Sequence, residues 1–100
     1  YPTFRALALR DGGCRFGGCC RRVAWTDAHH VERWEDGGPT DLRNLALLCR
    51  RHHRLVHQRG WRLELLDDAT VVVTTPTGET LTSFPRGSPV DGLFRTPRAA

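Results

Sequence analysis

Apolar residues recur at helical spacing near the start of this chain and give way to strand-like runs in its second half. Residues 3–10 (TFRALALR) place Phe4, Leu7 and Ala8 on one helix face, with Thr3 as cap and Asp11-Gly12-Gly13 as stop. Cys14 to Cys19 is a glycine-containing loop of the kind that lets two thiolates converge. Residues 22–31 (RVAWTDAHHV) predict a strand pair or strand–turn unit anchored by Trp25. Glu35-Asp36-Gly37-Gly38-Pro39 reads as a loop. In the short segment 41–48, Leu42, Leu45, Leu47 and Leu48 are core candidates, and a second helix is predicted from about Arg50 to Gln58, ended by Gly60.

Beyond that helix, residues 61–66 and 70–75 flank Asp67-Asp68-Ala69 and predict a β-hairpin. Residues 76–79 read as another turn and 80–84 as a candidate third strand. From Pro85 on, Pro, Gly and Arg dominate without periodicity. These elements predict an α+β chain organised as a core over 1–60, a hairpin extension over 61–84 and a Pro/Arg-rich tail over 85–100. Trp25, Trp34 and Trp61 are expected as core anchors rather than as platforms for stacking bases.

One hundred residues make a single small domain, a size at which a bound metal often supplements a modest core. Hydrophobic residues at 39% and charged residues at 26% exclude a disordered chain. The net charge of +4 comes entirely from Arg, since the chain has no Lys, and it suits a polyanionic partner as well as a solvated surface. No apolar run is long enough to span a membrane and no signal-like segment is evident. The absence of Met at Tyr1 suggests a piece of a longer protein. The four Cys interleave with His, a pattern that favours metal ligation in a reducing, cytoplasmic compartment over disulfides.

All five His and all four Cys lie between Cys14 and His57. On a helix turning about 100° per residue, His53 and His57 share a face, while His52 turns toward Leu55, Val56 and the core. Arg51, Arg54 and Gln58 form a third, solvent face. Cys14, Cys49 and His52, with either Cys19 or Cys20, make a Cys3His set, a closed structural zinc composition. His29, His53 and His57 offer three imidazoles to a catalytic ion and leave positions for a phosphate oxygen and water. His30, on the opposite side of an extended segment from His29, is then free to act as general base. Asn44 is the candidate for holding its ring in one tautomer, although taken alone it reads rather as a turn residue satisfying its own backbone.

His30, Asn44 and His53, together with the run DGGPTDLRNLALLCRRHHRLVH, resemble the HNH, or ββα-metal, endonuclease family. The run closely resembles HNH domains at the C-terminal end of many actinobacterial proteins. The likeness covers roughly residues 5–60 and continues more weakly through the hairpin and the FRTPR tail. The resemblance implies a small ββα-metal (His-Me finger) fold with a structural zinc, and it favours the C-x4-C pair, hence Cys19 over Cys20. It implies His29, His53 and His57 as ligands, His30 as base and Asn44 as the residue that orients it. Asp27 stands where colicin-like members carry an acidic residue, and equally reads as a surface carboxylate. This chain departs from many members, which have Asp before the base and Cys where His52 stands. The implied activity is hydrolysis of DNA phosphodiester bonds, on double-stranded DNA, with Mg²⁺, Mn²⁺, Ni²⁺ or Zn²⁺ at the catalytic site. Arg21, Arg22, Arg50, Arg51, Arg54 and Arg59 would position phosphates. The alternative is a zinc-stabilised nucleic-acid-binding module without cleavage.

Overall fold

A computed structural model describes residues 2–86. The chain runs α1 (Pro2–Asp11), β1 (Thr26–His30), β2 (Leu45–Cys49), α2 (Arg50–Val56), β3 (Arg62–Leu65), β4 (Val71–Thr74) and β5 (Thr80–Ser83). Short 3₁₀ turns at Val23–Trp25, Trp34–Asp36 and Leu42–Asn44 join the early elements. β1 and β2 form a two-stranded antiparallel sheet with His29 opposite Ala46 and His30 opposite Leu45. β3, β4 and β5 form a separate antiparallel meander. The described residues contain no helix long and apolar enough to cross a membrane.

Every residue of β2 is buried, and its period of two explains why. Ala46 and Leu48 face a cluster with Cys14, Phe16, Val56, Val71 and Val73, while Leu45 and Leu47 face a second cluster with Leu7. One strand thus serves two cores, one per face. Because directly opposed residues share a face, the register sends Asp27 and His29 to the Ala46 side and Ala28 and His30 to the Leu45 side. Leu63, Leu65 and Leu81 of the meander pack against the first cluster, so that sheet and the half carrying the Cys and His residues share one core.

The segment 22–31 takes the strand–turn form, a 3₁₀ turn at Val23–Trp25 followed by β1, whose partner is β2. The expected third strand forms as β5, paired along β4. Other local expectations are corrected. α1 starts at Pro2, so Thr3 lies within the helix rather than capping it; a proline in the first turn gives up an amide that would have no partner there. α2 stops at Val56, with His57 as its C-cap still in helical conformation. Trp25 and Trp34 are not core anchors, being 63% and 70% exposed, whereas Trp61 does pack on the first cluster beside Phe16. Of the expected tail, residues 87–100 lie outside the described residues.

Asp11, expected only as a helix stop, is fully buried against a fully buried Arg15. Arg15 donates to Asp11 Oδ1 (2.7 Å), Ser83 Oγ (3.0 Å), Ala69 O (2.7 Å) and Ser83 O (2.8 Å). Asp11 Oδ2 accepts from Leu47 N–H (2.9 Å), and Arg15 N–H donates to Leu47 O (2.8 Å). The pair therefore covers the free edge of β2 and ties α1 to the meander. With both charges desolvated, removing either partner alone costs about 3–5 kcal/mol.

Candidate metal centres

The loop 14–19 folds because Gly13, at φ 153°, lets the chain pass where a Cβ would meet Arg21 O at 2.4 Å. Cys14 N–H then donates to Arg21 O (2.9 Å) and Cys19 N–H to Phe16 O (2.9 Å), a turn that brings both thiols to one side. Cys49 ends β2 and caps α2, which sets His52 one turn away. Cys14, Cys19, Cys49 and His52 offer ligand atoms all within 4.8 Å of one another. His52 Nδ1 lies 3.3 Å from Cys49 Sγ and 3.6 Å from Cys14 Sγ. Around a tetrahedral zinc, with Zn–S near 2.3 Å and Zn–N near 2.0 Å, such N···S edges come to about 3.5 Å. The donor set and its spacing fit that ion. Cys20 is exposed and stands outside the set.

One side of this set is apolar, and Arg21 and Arg51 border the other. Phe16 stacks flat on His52, with centroids 4.0 Å apart and planes 4° from parallel. Burial pushes the Cys14 thiol up to about 12. Burial also acts to raise Cys49, but hydrogen bonds from the His52 backbone and the neighbouring Cys14 and Cys19 thiols outweigh it and leave Cys49 below its ordinary range. His52 is lowered by burial and by the Arg51 and Arg21 guanidinia, which keeps its imidazole neutral and able to ligate. Arg86 donates to the carbonyls of Cys14 (2.5 Å) and Cys19 (3.0 Å), holding the loop from outside.

The second set lies between β1 and the far end of α2. His29, His53 and His57 also bring ligand atoms within 4.8 Å of one another, with ring centroids 4.9–5.2 Å apart. Exposure grades across it: His29 is buried, His53 half-buried and His57 exposed. His29 Nδ1 is buried without a hydrogen-bond partner, the one such side-chain atom among the described residues. An unpaired buried nitrogen among imidazoles fits a site that takes a cation. Burial, reinforced by His53 and His57, lowers His29 to about 4. Burial and His57 also lower His53, against an opposing pull from Asp27, whose carboxylate lies 3.8 Å from His53 Nδ1. Three donors leave coordination positions open, unlike the four of the first set.

His30 sits on the other face of β1 and is half-buried, with its Nε2 3.0 Å from Thr40 Oγ1. The expected direct contact from Asn44 to this ring is not what forms. Asn44 is 7% exposed and uses its side chain on backbone: Oδ1 accepts from Glu32 N–H (2.7 Å), and Nδ2 donates to Glu32 O (3.0 Å) and Pro39 O (2.9 Å). It clamps the loop after β1 shut and so delivers Thr40 to His30. Gly38 is needed for that closure, because a Cβ there would meet Glu32 O at 2.0 Å and Asn44 Nδ2 at 2.9 Å. Thr40 has no sequence signal of its own; only the folded loop reveals it.

Of the basic residues, Arg21, Arg50, Arg51 and Arg54 line one cleft of about 750 Å³ that also borders Trp25 and Asp27. Arg22 and Arg59 are exposed outside its lining.

Two antiparallel strands leading into a helix, with histidines from strand and helix converging, define a ββα-metal centre. Residues 14–59 match the family model described as HNH endonuclease, a class that acts on nucleic acids. Among curated proteins, the chain is 41% identical over 80 residues to the uncharacterized protein Rv3776 of Mycobacterium tuberculosis, covering 79% of this chain and 15% of that protein. It is 42% identical over 80 residues to the uncharacterized protein Rv2100 of the same organism, covering 79% and 14%. A third, the uncharacterized protein Rv1128c, is 36% identical over 55 residues. The chain thus spans about one-seventh of these relatives' length. No solved structure matches.

Proposed function

We propose that this domain is a metal-dependent endonuclease that hydrolyses DNA phosphodiester bonds. The observation that carries the reading is the convergence of His29, His53 and His57 into an open triad while His30 is held apart on the opposite strand face. A divalent ion in that triad (Mg²⁺, Mn²⁺, Ni²⁺ or Zn²⁺) supplies charge stabilisation to the scissile phosphate and the leaving oxygen. In the tautomer whose Nε2–H donates to Thr40 Oγ1, the His30 ring keeps a lone pair on Nδ1. That nitrogen takes a proton from the attacking water as the water oxygen bonds to phosphorus. The P–O3′ bond breaks, and the 3′ oxygen takes its proton from solvent. Asn44 acts through the loop it closes, as a positioning residue for Thr40 and hence for His30. The four cleft arginines, Arg21, Arg50, Arg51 and Arg54, hold strand phosphates near the triad.

Cys14, Cys19, Cys49 and His52 hold a structural zinc in this reading, which suits thiols kept reduced in the cytoplasm. The test is plasmid cleavage by protein whose exchangeable metal has been stripped, then resupplied with each ion. Cleavage that returns with a divalent ion and is absent in His30→Ala supports the enzyme. DNA binding with no cleavage under any ion leaves the non-cleaving zinc module instead.

A further inference from the structure

Trp25 is the feature that the proposed chemistry leaves unused. Its indole is 63% exposed and belongs to neither hydrophobic cluster among the described residues. Its backbone is fixed all the same: Trp25 N–H donates to Arg22 O (2.9 Å) and Thr26 Oγ1 donates to Val23 O (2.7 Å). The residue therefore presents a large apolar face from a pinned 3₁₀ turn immediately before β1. That face borders the cleft lined by Arg21, Arg50, Arg51 and Arg54, in which Asp27 is the only carboxylate. Asp27 in turn lies 3.8 Å from His53, so the cleft opens beside the histidine triad.

Four guanidinia against one carboxylate suit a phosphate backbone. An aromatic face among them suits a base, but bases within a duplex have both faces covered by their neighbours. An indole can stack only on a base that is unpaired or splayed out. We infer that the Trp25 cleft binds an unpaired stretch of DNA strand, with a base stacked on the indole and flanking phosphates on the arginines. Resting on the endonuclease reading, this names its substrate class: DNA with single-stranded or splayed nucleotides next to the scissile bond, ahead of uninterrupted duplex.

The test is binding by intact protein carrying His30→Ala, so that probes survive, to a short oligo-dT strand and to a matched hairpin duplex, read by fluorescence anisotropy. The single strand should bind more tightly than the duplex. Trp25→Ala should weaken single-strand binding about tenfold or more, the range typical of a lost base–aromatic stack, and leave duplex binding within about twofold. Trp25→Phe should restore most of the affinity, while Trp25→Leu, apolar but without a ring, should not. Trp34→Ala, equally exposed but outside the cleft lining, should bind as the parent does. Equal affinity for strand and duplex, an unchanged Trp25→Ala, or an equal loss in Trp34→Ala would each overturn the inference. Plasmid cleavage by the His30-bearing protein keeps the two readings apart. Cleavage without Trp25-dependent strand binding removes this inference alone, and strand binding without cleavage under any ion removes the nuclease reading alone.

Discussion

Cys14, Cys19, Cys49 and His52 close inward against Phe16, whereas His29, His53 and His57 grade from buried to exposed along the same short helix. Two adjacent residues, His52 and His53, go to different sets because one helical step turns a side chain by about 100°. The first set offers four donors, two buried and two half-buried, enough to fill a tetrahedral ion. The second offers three, with His57 at the water-facing end just past the last helical residue. Number of donors and access to solvent, rather than ligand chemistry alone, separate a site suited to stability from one suited to reaction.

The largest effect should come from breaking the closed set. Cys14→Ala removes a buried ligand, and the domain should lose zinc and several kcal/mol of stability, enough to abolish a cooperative melt. Thermal unfolding with metal analysis reads this out; an unchanged melting temperature with zinc retained would rule out the structural role. Breaking the open side instead should spare the fold. His30→Ala should reduce cleavage about 10²–10⁴-fold at an unchanged melting temperature. Residual activity within tenfold of the parent would deny His30 the role of base.

Acid should also distinguish the sets. In protein stripped of the open-site ion, the unfolded chain protonates His29 below about pH 6.5, while the folded ring resists until about 4. The contribution is therefore fully present above 6.5 and is lost as pH falls through that window, by roughly 3 kcal/mol. Urea titrations at stepped pH should show this slope, and His29→Gln should flatten it. Asn44→Ala, which strands the backbone groups of Glu32 and Pro39, should cost about 1–3 kcal/mol and lower cleavage through the loosened loop. Smallest of all, Thr40→Val should lower cleavage several-fold without changing stability.

The grouping of Cys and His into two sets was legible because helix and strand periodicity sort residues by face without tertiary information, and the same groups converge in space. The order of strands and helices was legible for a similar reason: apolar runs, Gly and Pro act locally. What escaped depended on distant partners. Asp11 and Arg15 look like surface charges until the edge of β2 and Ser83 close around them. Trp25 looks like a core residue because indoles usually are, and only the packed structure leaves it in a cleft. Asn44 carries three side-chain bonds that its sequence position cannot specify, since they require the loop to fold back.

The most direct test of the contrast between the two sets is graded chelation of protein purified without added metal, with bound ions counted by native mass spectrometry. The expected result is one zinc per chain that survives mild chelation and departs only with loss of the fold. A second divalent ion should exchange freely, and His53→Ala should remove it alone. A single class of ion, released in one step along with the fold, would contradict a closed set beside an open one.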